Sequence, residues 1–82
     1  MEVNRLRWRS RRGLLELDLL LLPFFDEEFH SLDEETRQTY VRLLEQEDPD
    51  LLSWFSRKSH SDDPQLDALV QLMLKRVQPQ TD

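Results

Sequence analysis

The clearest apolar pattern lies near the end of the chain. Apolar side chains recur there at i, i+3, i+4, i+7, i+8 and i+11, the spacing of one helical face: Leu66, Leu69, Val70, Met73, Leu74 and Val77. Asp63-Pro64 precedes this segment, and an Asp cap followed by proline is typical of a helix start. The sequence therefore predicts a C-terminal amphipathic helix, followed by a flexible tail at residues 78–82.

A second amphipathic segment runs from about residue 34 to residue 47. Its apolar face is formed by Tyr40, Val41, Leu43 and Leu44. Two starts are possible, because either Asp33 or Ser31, the latter in a capping box with Glu34, can cap this helix. The pattern predicts an ordinary surface helix with one buried face.

A third helix is predicted to begin at Asp48-Pro49, with Asp48 as the cap and Pro49 as the first helical residue. Four large apolar residues follow within the next two turns: Leu51, Leu52, Trp54 and Phe55. The polar sequence after them should end this short helix near Arg57.

The most hydrophobic segment extends from Leu14 to Phe25 and is apolar nearly all the way round a helix. This predicts the central helix of a bundle, buried on most sides. Pro23 should kink or restart it, with Phe29 continuing beyond. The segment is shorter than the roughly 20 apolar residues of a membrane span and contains two carboxylates, so no membrane insertion is expected.

The first twelve residues predict a short helix with Val3, Leu6 and Trp8 as candidates for its inner face and the arginines outside. Gly13 is the only glycine in the chain. A glycine can close a helix in the left-handed conformation without a Cβ clash. We therefore expect the first helix to stop at Arg12 and the second to begin at once.

Together these patterns predict an all-α fold, a small five-helix bundle in a single domain over residues 1–82, ordered from about 3 to 77. Strand signals and internal repeats are lacking. Eighty-two residues provide only a modest core, too small to enclose a large cofactor as well.

Composition argues against an enzyme. The chain has no cysteine, two histidines in predicted loops, His30 and His60, and one glycine. These residues do not supply a zinc site, a nucleophile-base pair or a glycine-rich phosphate loop. We expect no catalytic residues, no metal site and no stably bound cofactor.

The net charge of −6 conceals a basic end on an acidic body, with +4 in residues 1–12 and −10 in residues 13–82. Arginines around Trp8 could contact a nucleic acid, although the acidic body would repel it. Alternatively, Arg12 and Glu16 flank the corner at Gly13 and point outward to a protein partner. A capped corner with solvated charges, or an intrahelical Arg12–Glu16 pair, is the purely structural interpretation.

The segment Arg12-Gly13-Leu14-Leu15-Glu16 has the form R-G-x-x-E. It is followed, in the same order and spacing as in the SdhE family of FAD assembly factors, by these further matches: Leu17-Asp18, Pro23-Phe24-Phe25, Leu43-Leu44-Glu45, Asp48-Pro49-Asp50-Leu51 and Trp54. The chain resembles that family over about residues 3–77. R-G-x-x-E alone is a weak signal, whereas the ordered set is specific.

The resemblance implies a five-helix bundle that binds the flavoprotein subunit of succinate dehydrogenase, with that of fumarate reductase as a second client, and promotes covalent attachment of FAD to a target histidine. It implies partner contacts by Arg12, Gly13 and Glu16, with Arg11 and Trp8 as weaker candidates. FAD would be the partner's cofactor. We further expect a monomer in the bacterial cytoplasm that binds no nucleic acid; the alternative is a small nucleic-acid-binding or general protein-interaction adaptor that uses the Arg-rich helix.

Overall fold

The structure, a computed structural model, describes residues 3–77, and the side chains of residues 4–76. Its elements are α1 (Val3–Ser10), α2 (Leu15–Glu28), a 3₁₀ turn (Phe29–Ser31), α3 (Glu34–Leu44), α4 (Asp48–Phe55) and α5 (Pro64–Val77). Within these residues there is no strand. The predicted all-α five-helix fold is confirmed, while the expected tail at residues 78–82 lies outside the described residues.

Helix α2 is the central element and packs against α1, α4 and α5, while α3 packs against α1 and α5. Each helix contributes apolar side chains to one core. The buried set is Leu6, Leu17, Leu21, Phe24, Phe25, Phe29, Tyr40, Leu43, Leu44, Leu51, Phe55, Leu66, Leu69, Val70, Met73 and Leu74. The apolar face predicted for α5 is therefore buried at every position whose side chain is described. The side chain of Val77, the last residue of that face, is outside the described part.

Helix α2 differs from its prediction in two ways. It is not buried on most sides, because Leu15 and Leu19 are 70% and 61% exposed. Of the two effects expected of Pro23, the restart is also wrong, because the helix runs through that residue to Glu28; a kink there stays a prediction. The side chain of Pro23 is only half-buried, so water can reach the side of the helix where the proline leaves a carbonyl without its usual donor.

The starts of α3 and α5 follow the local sequence signals closely. The Asp33 carboxylate accepts a hydrogen bond from the Thr36 amide at 2.9 Å, which identifies Asp33 rather than Ser31 as the cap of α3. This bond lowers the pKa of Asp33. Asp63 likewise accepts from the amides of Gln65 and Leu66 at the start of α5. Short polar side chains thus satisfy amides that a helix start leaves without partners.

The end of α4 closes around a residue in the left-handed conformation. Arg57 has φ 65°, its amide donates to the Trp54 carbonyl at 3.2 Å, and the Lys58 amide donates to the Ser53 carbonyl at 2.9 Å. This pair of bonds is the Schellman motif, in which glycine is usually found at the left-handed position. Arginine is strained there because it carries a Cβ.

Two buried hydroxyl groups join α1 to α3. The Ser10 Oγ lies 2.7 Å from the Tyr40 hydroxyl and 3.1 Å from the Leu6 carbonyl, to which it donates. Tyr40 also stacks on Phe24, with ring centroids 5.7 Å apart. Burial raises the pKa of Tyr40 to about 12. The pair fixes α1 on the bundle without leaving a buried polar atom unsatisfied.

Because Tyr40 is the only tyrosine, its ionisation can be followed by the ultraviolet absorbance of the phenolate. Between the ordinary tyrosine pKa near 10 and the raised value of about 12, the unfolded chain loses the proton that the folded chain keeps. The free energy of unfolding should therefore fall by about 2–3 kcal/mol as the pH rises through that window. A native titration midpoint equal to that of the urea-unfolded chain would contradict this account.

Arg57→Gly should stabilise the protein by about 0.5–1 kcal/mol. Relief of the left-handed strain is worth about 1–2 kcal/mol, and the added freedom of glycine in the unfolded chain offsets about 0.5–1 kcal/mol of it. Arg57→Ala is the matched control, since it removes the same charge but keeps the Cβ and should bring no such gain. Urea unfolding measures the stability of the two variants. Equal unfolding midpoints for Arg57→Gly and Arg57→Ala would show that the strain is absent.

Candidate functional site

The corner between α1 and α2 is formed by residues 11–14. Helix α1 ends at Ser10, two residues earlier than predicted, and the Arg11 amide after it donates to the Trp8 carbonyl at 3.1 Å. Gly13 has φ 81°, which confirms the left-handed conformation expected of it. A Cβ added there would meet no heavy atom within 4 Å. Within the described structure, backbone conformation and not crowding favours glycine at this position.

The Arg12 side chain points into the protein and uses all three of its guanidinium nitrogens. Nε donates to the Asp48 carboxylate at 2.7 Å, Nη1 to the Leu44 carbonyl at 2.7 Å and Nη2 to the Gln46 carbonyl at 2.6 Å. The side chain is only 15% exposed. Arg12 therefore cross-links the first corner to the connection between α3 and α4.

This arrangement corrects the prediction that Arg12 and Glu16 both point outward. Glu16 is exposed, and its carboxylate forms no ion pair with another described residue. Arg12 is turned inward, because the carbonyls at the end of α3 and the Asp48 carboxylate attract a cation. The intrahelical Arg12–Glu16 pair is also absent from the described residues. Partner contact by either residue stays a prediction.

Two aspartates complete the corner, and sequence analysis missed both of these roles. The prediction that Asp48 caps α4 is wrong, because Glu47 occupies the cap position without a side-chain hydrogen bond. The Asp48 carboxylate instead accepts a hydrogen bond from Arg12 Nε. Asp18, in the first turn of α2, accepts from the Arg12 backbone amide at 2.8 Å. The sequence contains a signal only for Asp18, because a carboxylate near a helix start is expected to interact with backbone amides. It contains none for the Arg12–Asp48 contact, because the two residues are 36 positions apart.

The outer face of α1 carries the other two candidate residues. Trp8 is 69% exposed, so it does not belong to the inner face as one prediction had it. Together with Asn4, Arg7 and Arg11 it lines a shallow depression of about 230 Å³. The guanidinium of Arg7 makes a paired contact with Asp26 at 2.8 and 2.9 Å and lowers the pKa of that carboxyl. Arg11 is exposed.

A groove of about 470 Å³ lies beside the corner, between α2 and α4. Its surface is mostly apolar, with Glu16 and Lys58 as its charged members. The lining residues are Glu16, Leu17, Leu20, Pro49, Leu52, Ser53, Phe55, Ser56 and Lys58. Glu16 thus belongs both to the R-G-x-x-E segment and to this groove.

Other chemistry is limited in the part of the chain that the structure describes. It holds no cluster of three or more His, Cys, Asp or Glu side chains that could bind a metal ion. His60 is exposed and contacts Asp67 at 3.0 Å, and exposed His30 lies in the 3₁₀ turn with its ring edge-on to Phe25 and Phe29. No helix in these residues has the length and apolar character to cross a membrane.

Arg12→Ala should lower the free energy of unfolding by about 2–4 kcal/mol, since three charge-assisted hydrogen bonds are lost in a largely buried site. Arg12→Lys should recover only part of the loss, because one ammonium group cannot reach three acceptors as the planar guanidinium does. Exposed Arg11 provides the control, and Arg11→Ala should change stability by less than about 0.5 kcal/mol. Urea unfolding measures all three; similar values for Arg12→Ala and Arg11→Ala would refute the cross-link.

Gly13→Ala should cost about 1–2 kcal/mol and leave the protein folded, because the positive φ is strained for alanine while the Cβ has room. Gly13→Asn should cost less, since asparagine tolerates this conformation better. Circular dichroism reports folding and thermal melting reports stability. Loss of the fold in Gly13→Ala would mean that the corner is more crowded than its open surroundings indicate.

Comparison with known proteins identifies the family of this chain. A family model described as flavinator of succinate dehydrogenase (Sdh5) matches residues 4–77. A protein of Pseudomonas putida named FAD assembly factor SdhE is 53% identical over 78 residues, covering 95% of this chain and 93% of the relative. Proteins of the same name from Pseudomonas syringae pv. syringae and Pseudomonas aeruginosa are 49% and 46% identical, covering 98% and 95% of this chain and 95% and 93% of their own. The similarity spans the corner, the groove and every described helix, and the chain belongs to the Sdh5 family of succinate dehydrogenase flavinators.

Proposed function

We propose that this protein binds the flavoprotein subunit of succinate dehydrogenase and promotes the covalent attachment of FAD to it. The observation that carries the proposal is the family match over residues 4–77, which includes the whole R-G-x-x-E segment. The geometry adds that this segment forms a cross-linked corner with Glu16 exposed beside it. An acceptor held on a fixed backbone is well suited to recognise donors on a partner.

The covalent bond itself is proposed to be made within the client. With a single glycine, this chain has no glycine-rich loop to hold the phosphates of a dinucleotide. FAD is then the client's cofactor, bound before this protein arrives, and the assembly factor supplies no catalytic group.

Positioning is the mechanism that remains. The protein would bind the flavin-loaded but unlinked subunit and favour the arrangement in which the target histidine meets the flavin ring. A ligand shifts such an equilibrium only by its preference for one arrangement over the other. A rigid docking surface favours such a preference, because it fits one arrangement of the client better than the other. The hydrogen bonds of Arg12 to α3, to the connection after it and to α4 support the proposal that the corner is rigid.

The finer parts of the proposal rest on the family resemblance. They are action on the flavoprotein of fumarate reductase as well, a monomeric state, a cytoplasmic location and no binding of nucleic acid. The last gains support from the ion pairs, because Arg7 is engaged by Asp26 and Arg12 by Asp48. Fewer of the five N-terminal arginines are then available for a row of phosphate contacts.

Flavinylation in vitro tests the proposal. Purified apo-flavoprotein, FAD and the assembly factor are incubated, and covalent flavin is measured by its fluorescence in the denatured protein. Glu16→Ala should lower the rate by about tenfold or more if the carboxylate is a central contact, with helicity unchanged.

Glu35→Ala is the matched control, since Glu35 is also an exposed carboxylate in the first turn of a helix. The Glu35→Ala variant should flavinylate the client at a rate within about twofold of the wild type, well short of the tenfold loss expected for Glu16→Ala. Equal rates for Glu16→Ala and Glu35→Ala would remove Glu16 from the contact. Absence of any stimulation by the wild-type protein would end the proposal as a whole.

A further inference from the structure

We infer that the groove between α2 and α4 receives an apolar segment of the client flavoprotein that carries a basic side chain at the end nearest Glu16. The inference rests on the proposed function and specifies its partner's chemistry. It places the contact surface mainly between two helices of the bundle rather than on the Arg-rich face of α1.

The first support is the apolar character of this surface. Leu20 and Leu52 line the groove from opposite helices and are only partly buried, with Phe55 beneath. Leu15 and Leu19 lie four residues apart on the same face of α2, each next in sequence to a residue that lines the groove, and are the most exposed leucines described. Adjacent exposed apolar side chains of this kind are typical of a protein-binding surface.

The charged residues of the groove indicate which kind of client segment fits it. Glu16 lies at the end of the groove beside the Arg12 corner, and Lys58 follows the opposite end of α4. Helix α4 has eight residues and is therefore about 12 Å long. A segment with apolar side chains between a cation and an anion would match both of these charges. A polyanion would instead meet Glu16 and leave the leucines without an apolar partner.

Arg12 explains why the groove is formed before the client arrives. Its guanidinium binds Asp48, the first residue of α4, while its backbone amide binds Asp18 in the first turn of α2. One residue therefore joins the two walls at the Glu16 end. Arg12 is a positioning residue in this inference, because it acts on client binding through the groove whose two walls it joins.

Binding is measured with a flavoprotein subunit whose target histidine is replaced, so that its FAD stays unlinked. Ser56 is exposed and lines the groove, so Ser56→Trp should fill it and raise the Kd by about tenfold or more. Ser56→Ala, which removes the hydroxyl without adding bulk, should stay within about twofold, far from a tenfold effect. Leu52→Glu places a charge on another residue that lines the groove and should weaken binding as well, and thermal melts verify that each variant is folded.

Leu72 provides a control for exposed apolar side chains in general, because it is 49% exposed on α5 and does not line the groove. Leu72→Glu should bind the client as the wild type does. If Ser56→Trp and a folded Leu52→Glu also bind like the wild type, the groove is not the docking site, although wild-type flavinylation would still support the proposed function. If the wild type neither binds nor stimulates flavinylation, the proposed function itself fails.

A photo-crosslinking phenylalanine analogue at position 56 identifies the occupant. The expected product joins this chain to a client segment with apolar residues and a Lys or Arg, and the same analogue at position 72 should give none. Crosslinking to a second copy of this chain, or to a polar client segment, would overturn the inference.

Discussion

The fold around the candidate site depends on one guanidinium group. Arg12 donates hydrogen bonds to the Leu44 carbonyl at the end of α3, to the Gln46 carbonyl in the connection that follows, and to the carboxylate of Asp48, the first residue of α4. Each acceptor gains from a cation at that position, because a helix C-terminus and a carboxylate are both negative. The corner, the connection between α3 and α4 and the start of α2 are consequently parts of a single unit.

This unit separates two roles within the R-G-x-x-E segment. The arginine and glycine determine the course of the backbone, one through long-range hydrogen bonds and the other through its positive φ. The glutamate is left exposed on the unit that they form. A short sequence motif can therefore combine residues that shape the backbone with a residue whose side chain is exposed on the surface that they form.

Local signals in the sequence were sufficient for much of the fold. The apolar period of α5, the cap at Asp63 and the left-handed glycine all depend on neighbours within one or two helical turns, and each was predicted; the cap at Asp33 was one of two that the sequence left open. The inward turn of Arg12 was not predictable, since its acceptors lie 32 to 36 residues away. The same contact explains why Asp48 does not cap α4. The exposure of Leu15 and Leu19 was missed because a segment that is apolar all round does not indicate which side faces the core.

The long separation between Arg12 and its acceptors also has a consequence for biosynthesis. During translation, the R-G-x-x-E segment leaves the ribosome well before residues 44–48 do, and until then its arginine lacks these acceptors. Loop closure over more than thirty residues must precede the contact, and its entropic cost is met only when the helices pack. A nascent or truncated chain that lacks residues 44–48 therefore carries the motif without the cross-linked shape of the corner.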